Sequence, residues 1–293
     1  MRRSLWGFLA LLASVQPIFA KEAEWRRVAP ENLVLIEVQY GTIALELAPQ
    51  FAPAHAARFR ALIREGFYDG LSFYRVIDGF VAQGGIGEGD DKKLQAWPAL
   101  KAEMERPSAG LSFTLVQSAD LFAGETGFID GFPAARDALD GTSWLVHCPG
   151  LLAMARDDAP DTGATEFYIV IGQAPRRLDR IMSSFGRVID GLEHVQKLNR
   201  GDPEVDSGVI AEEAARDKII RMRIAADMPE AERPPYEVMR TDTEAFEKRL
   251  DERRYPASPF FFRKPPPILD VCTVSVPVRL APPRIKPRRA TRR

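Results

Sequence analysis

The chain reads as a mainly β protein, and three observations carry that prediction. Alternating apolar and polar residues fill 32–39 and 42–48 on either side of Tyr40-Gly41, a hairpin signal. Short strand-like runs recur at 72–77, 80–83, 151–155, 166–172, 185–189 and 218–225. Between 32 and 225 a clear helical period is held only at 54–65 and again after Asp190-Gly191.

Within 32–39, alternation sets Val34, Ile36 and Val38 on one face and Leu33, Leu35 and Glu37 on the other. Prolines 49 and 53 interrupt the strand pattern. The helix then places Phe59, Leu62 and Ile63 on one side, with Arg60 and Arg64 elsewhere, until Gly66 stops it. The run from Phe73 to Gly85 sets Arg75 and Gln83 at even spacing among apolar residues and glycines, so an extended segment points both to one face. A guanidinium and an amide on an apolar surface can hold a neutral polar substrate. Without a nucleophile or metal they cannot cleave it, which points to an enzyme that changes a conformation and breaks no covalent bond.

From 87 to 143 no period is sustained; 94–105 suits a short helix and 111–117 a strand, within an insertion lying on the domain. Leu192, Val195 and Leu198 continue a second helical run, and 218–225 suits a closing strand. After Asp227 the core pattern fades. Pro229, Pro234 and Pro235 read as a linker, 243–254 as a charged helix, and Pro265-Pro266-Pro267 as rigid and extended. The extension 227–293 is expected to be partly disordered. Its last stretch, 279–293, has seven basic residues and no acidic one, suited either to an anionic surface or to a solvated tail.

The 293 residues allow a substantial core, and 45% hydrophobic with 28% charged residues is ordinary for a soluble globular protein. A formal net charge of -1 argues against nucleic-acid binding by bulk electrostatics. Only His55, His147 and His194 are present, so a histidine metal site is not expected. Asp157, Asp158 and Asp161 have no calcium-loop spacing and read as a polar turn. Cys148 and Cys272 either pair or remain two separate thiols. At the N-terminus, Arg2 and Arg3 precede an apolar stretch from Leu5 to Val15, and Ala20 precedes a charged segment. Residues 1–20 thus read as an export signal, with an uncleaved anchor as the alternative; Ile18 leaves the cleavage site open. The body of the protein is expected in the periplasm.

The segment from Phe67 to Gly85, FYDGLSFYRVIDGFVAQGG, closely resembles the signature of the cyclophilins, the cyclophilin-type peptidyl-prolyl isomerases. Two later blocks resemble the family in the same order: Pro149 to Arg156 with Thr165 to Val170, and Leu178-Asp179 with Phe185 to Val188. The resemblance covers about 32–225, within an isomerase domain at 21–226. It implies a closed eight-stranded antiparallel β-barrel capped by two helices, filled by side chains, with the substrate groove on its outer surface. By motif position Arg75 matches the catalytic arginine and Gln83 the glutamine that steadies it. Phe80, Val81, Tyr168 and Leu178 match the pocket for the proline ring, while Ala155, Arg156 and Glu166 match groove residues. The chain departs from the best-known eukaryotic pattern at Tyr74 (histidine), Arg156 (asparagine), Glu166 (glutamine), Tyr168 (phenylalanine) and Met182 (often histidine). Arg177 stands where a tryptophan contacts cyclosporin, so strong cyclosporin binding is not expected. Glu166 either pairs with Arg75 by charge or keeps a hydrogen bond in the groove wall.

The resemblance implies rotation about X-Pro bonds without cofactor or metal. Proline-containing segments of unfolded exported proteins are the expected partners, nucleic acid is not, and the protein is expected to be a monomer. The alternative is a non-catalytic chaperone or scaffold binding the same segments through the same groove.

Overall fold

The computed structural model describes residues 24–87, 96–173 and 175–282. The expected export segment and the end of the basic tail lie outside the described residues. Along the chain, β1 (Trp25–Arg27) leads to the hairpin β2 (Leu33–Val38) and β3 (Gly41–Leu47), then α1 (Pro53–Arg64), β4 (Ser72–Val76) and β5 (Val81–Gly85). The inserted segment supplies β6 (Arg106–Pro107), β7 (Phe113–Ser118), β8 (Glu125–Ile129), β9 (Phe132–Asp137) and β10 (Thr142–Leu145). Next come β11 (Leu151–Met154), β12 (Phe167–Val170), β13 (Ser184–Asp190), the one-turn α2 (Leu192–Val195), β14 (Asp217–Lys218) and β15 (Arg221–Ile224). β16 (Tyr236–Met239), α3 (Glu244–Arg254) and β17 (Val278–Leu280) follow.

Nine strands form one antiparallel sheet in the order β14-β4-β5-β12-β11-β13-β3-β2-β15. This is a curled half-barrel and not the closed eight-stranded barrel expected. The reason lies in the closing segment at 218–225, which is split between two partners. Asp217 and Lys218 pair with β4, whereas Arg221 to Ile224 pair with β2. Between them the Ile219 amide donates to the Leu71 carbonyl and the Ile220 amide to the Glu37 carbonyl, each at 2.8 Å. One run of chain therefore edges both ends of the sheet, and no ladder joins β14 to β15.

The concave side of the curl is filled as the alternation predicts. Val34, Ile36 and Val38 point into it, together with Phe59, Leu62 and Ile63 of α1. Phe59 packs its ring against Tyr68, Phe167 and Phe185, with centroids 5.2–5.4 Å apart. Ala52 offers α1 no side-chain cap. Its first amides are satisfied from a distance: Glu103 accepts from Ala54 N at 3.1 Å and His55 N at 3.0 Å, and from His55 Nδ1 at 2.7 Å. The expected helix at 94–105 is absent from the described residues 96–105, which run irregularly and use Glu103 as this remote cap.

The other face of β2 is also dry. Leu33 and Leu35 are buried by Val28, Met228 and Val238. Behind them lies a second core, built from Trp25, from Val116, Phe128, Trp144 and Val146 of the inserted segment, and from Phe246, Leu250, Leu269 and Val271 after β16. Two small sheets frame it, β6-β10-β9-β8-β7 and β1-β16-β17. The described chain from 228 to 282 thus contributes to this core, and the charged helix appears as α3 with Thr243 as its N-cap. Each contributing stretch is short, so no single one shows a core period.

Cys148 and Cys272 are paired, joining the main sheet's flank to the C-terminal segment across 124 residues of sequence. Breaking a bridge of this span by Cys148→Ser with Cys272→Ser is expected to cost about 2–4 kcal/mol of unfolding free energy. Urea denaturation of the oxidised protein and the variant measures it, and coincident midpoints would contradict the expectation.

Candidate active site

The site begins with an irregularity in the β4–β5 ladder. Phe73 lies opposite Gly84 and Arg75 opposite Gln83, leaving Tyr74 as the extra residue of a bulge. Strict alternation would turn Tyr74 and Arg75 to opposite faces; the bulge re-aims them so that both reach Gln83. Arg75 Nη1 donates to Gln83 Oε1 at 3.2 Å, and Gln83 Nε2 donates to the Tyr74 hydroxyl oxygen at 2.6 Å. Because arginine only donates, the amide must present its oxygen to Arg75 and its nitrogen to Tyr74. Arg75 Nε donates to the Ser207 carbonyl at 2.8 Å. The guanidinium is thereby held at two points, and Nη2 has no protein partner among the described residues.

Glu166 anchors the far end of this chain. It lies near the Tyr74 hydroxyl and accepts from the backbone amides of Ile86 at 2.8 Å and Gly87 at 3.4 Å. Gly85 makes this possible: at φ +148° it has no side chain, and a Cβ there would overlap the Glu166 carboxylate. Burial pushes the Glu166 carboxyl above its ordinary range, while these donors pull it back. Burial, and then the nearby Glu166 charge, hold the Tyr74 phenol well above its ordinary 10.0, so it stays protonated and donates. Of the two readings of Glu166, the hydrogen-bonded wall is what the geometry supports. No ion pair joins it to Arg75 among the described residues.

Arg75, Gln83, Ala155, Arg156 and Glu166 share one open groove of about 790 Å³. Arg156 is tied back to the fold, donating to the carbonyls of Ile181, Asp157 and Asp158. Trp97 also lines the groove, with the Arg58 guanidinium 5.0 Å from its ring centroid. Sequence reasoning missed it; the one available signal was a lone tryptophan before Pro98.

Phe80, Val81 and Tyr168 come together beside the groove, in an apolar cluster with Ala155 and Met182. Tyr168 sits directly across the ladder from Gln83. Ile129, Phe132 and Leu145 of the inserted sheet belong to the same cluster, leaving Val81 2% and Tyr168 4% exposed. Leu178 does not join that cluster; it ends a 3-10 turn at Arg176–Leu178. Beside it Arg177 is exposed.

A buried polar chain stands behind Tyr168, and only Asp179 in it was singled out in the sequence. The Tyr168 hydroxyl lies 2.9 Å from His147 Nε2, and His147 Nδ1 lies 2.9 Å from Asp179 Oδ1. A carboxylate only accepts, so Nδ1 carries the proton; in the neutral ring Nε2 accepts from the hydroxyl. Burial keeps the Tyr168 phenol well above its ordinary 10.0, consistent with a donor. Arg176 closes the chain, donating from Nε to Asp179 at 2.6 Å and from Nη2 to Asp120 at 2.9 Å.

Removing His147 strands a buried hydroxyl, a loss of about 1–3 kcal/mol beyond the packing cost. His147→Ala is therefore expected to destabilise the wild-type background more than the Tyr168→Phe background, where no hydroxyl remains. A double-mutant cycle by denaturant titration reads the difference, and strict additivity would rule out the coupling.

The family model described as "Cyclophilin type peptidyl-prolyl cis-trans isomerase/CLD" matches residues 33–224. A probable peptidyl-prolyl cis-trans isomerase of Brucella suis is 30% identical over 207 residues, covering 68% of this chain and 85% of the relative. Peptidyl-prolyl cis-trans isomerase B of Bacillus subtilis is 33% identical, covering 55% of this chain and 85% of that one. A crystal structure of a cyclophilin from Hirschia baltica matches with a TM-score of 0.66 and 33% identity, over 78% of this chain and 86% of the other. With the family model spanning most of the chain, and the curled antiparallel sheet agreeing with it, the chain belongs to the cyclophilin-type peptidyl-prolyl cis-trans isomerases.

Proposed function

We propose that this isomerase accelerates X-Pro rotation in exported polypeptides, with Arg75 as the group that stabilises the twisted bond. The barrier is ~18–20 kcal/mol because the C–N bond has partial double-bond character. On twisting, the prolyl nitrogen loses conjugation, becomes pyramidal and gains basicity. A donor aimed at that nitrogen binds the twisted state more strongly than either planar state, which lowers the barrier. The observation that carries this reading is Arg75 itself: immobilised by Gln83 and Ser207, with Nη2 unclaimed beside an open groove. Phe80, Val81 and Tyr168 are proposed to seat the proline ring, Ala155, Arg156 and Glu166 to line its neighbours, and Leu178 to border the pocket from its turn. The groove needs no cofactor or metal for this chemistry.

The same groove also suits a non-catalytic chaperone, and the two readings separate on one residue. Arg75→Ala is expected to lower kcat/KM on a proline peptide by about 10²-fold, the usual scale for losing one transition-state donor. NMR exchange or a protease-coupled assay measures it; equal rates for the two proteins, near the uncatalysed one, would favour the chaperone.

Export to the periplasm is supported by the N-terminal pattern and by the Cys148–Cys272 bridge, since disulfides persist in oxidising compartments. Cell fractionation is expected to recover a chain shortened at its N-terminus from the periplasm, and intact protein in the cytosol would overturn this. A monomeric state and contact of the basic tail with an anionic surface belong to the same proposal.

A further inference from the structure

Beyond α3 the chain makes an exposed loop whose tip is three consecutive phenylalanines. Phe260 is 83% and Phe262 88% exposed, and the Phe260 and Phe261 rings meet edge to face at 5.5 Å. Single apolar residues on a surface are ordinary, but a contiguous aromatic run held in water is not. The loop is built, not frayed. The Phe261 amide donates to the Ser258 carbonyl at 3.1 Å, the Phe260 amide to Ser258 Oγ at 3.3 Å, and Lys264 Nζ to the Pro256 carbonyl at 3.0 Å. Pro256, Pro259 and Pro265 to Pro267 stiffen both flanks.

Charge accompanies the rings. Arg263 and Lys264 follow the tip directly, and no carboxylate pairs with either among the described residues. From Tyr255 to the C-terminus the sequence has nine basic residues and one acidic residue, Asp270, whose carboxylate is occupied capping Cys272 N.

We propose that this loop docks on the surface of an anionic phospholipid bilayer. Phe260, Phe261 and Phe262 enter the boundary between headgroups and acyl chains, where aromatic rings are favoured, while Arg263 and Lys264 bind lipid phosphates. The basic residues from Arg284 to Arg293 add long-range attraction that salt screens. Two weak signals, one aromatic and one electrostatic, together make a reversible anchor. No helix among the described residues is long and apolar enough to cross a membrane. A nucleic-acid strand would want rings spaced along a basic groove, whereas these are contiguous at a tip. A two-fold contact between copies through the tips would press like charges together.

The chain from Lys21 onward is sedimented with vesicles of phosphatidylethanolamine and phosphatidylglycerol, or of phosphatidylcholine alone. Binding is expected on the anionic vesicles, weakened by salt, and reduced at least ~10-fold by Phe260→Ser with Phe262→Ser. That variant should keep full isomerase activity on a soluble peptide, because no residue of the loop lines the groove. The proposal is overturned if the variant binds as well as wild type, if phosphatidylcholine serves equally, or if only removal of 283–293 abolishes binding. It is also overturned if the double substitution converts a dimer to a monomer, or abolishes binding to single-stranded DNA and not to vesicles.

Discussion

The bulge at Tyr74 is the constraint on which the site depends. One extra residue in β4 brings Tyr74, Arg75 and Gln83 into contact, and hydrogen bonds then run from the Tyr74 hydroxyl through Gln83 to the guanidinium. Each link fixes the next. Glu166 is pinned by two backbone amides, the Gln83 amide by Tyr74, and Arg75 by Gln83. A guanidinium on a long side chain would otherwise sample many rotamers, at an entropic cost of up to about 2 kcal/mol on ordering. Here the scaffold imposes that order before substrate arrives.

The placement of Glu166 also suits the role proposed for Arg75. In that role, a carboxylate paired directly with Arg75 would occupy the donors a twisted prolyl nitrogen needs. Instead its charge is absorbed by the Ile86 and Gly87 amides and transmitted only through two neutral groups. The Gly85 backbone is what admits the carboxylate to that position. A glutamine in its place would offer one acceptor oxygen to the same two amides, so the departure from the family pattern at this position is chemically coherent with Tyr74 beside it.

Much of the main sheet was legible because its period-2 pattern is local. Val34, Ile36 and Val38 face the concave core, and Phe59, Leu62 and Ile63 bury one side of α1, both readable from spacing alone. Arg75, Gln83, Ala155, Arg156 and Glu166 line one groove. What could not be read is non-local. The split closing segment depends on which edges 217–224 meets, and the second core draws on residues near 25, 116–146 and 236–276. Leu33 and Leu35 held a clue: an edge-side face of leucines implies a cover. His147 behind Tyr168 was equally hidden, because a lone histidine in sequence does not say which hydroxyl it will meet.

The change from the common pattern at 168 is physically linked to that cover. A tyrosine in a nearly sealed wall requires a partner for its hydroxyl, and His147, held by Asp179 and Arg176, supplies one. Asp120 of the inserted segment completes the chain, so the insertion contributes charge as well as apolar packing to the pocket's support. Val81 is small and buried under the same cluster, which keeps the wall compact. The inserted segment, itself packed on the C-terminal segment, thus backs the wall formed by Val81 and Tyr168, and it also reaches the groove itself through Trp97.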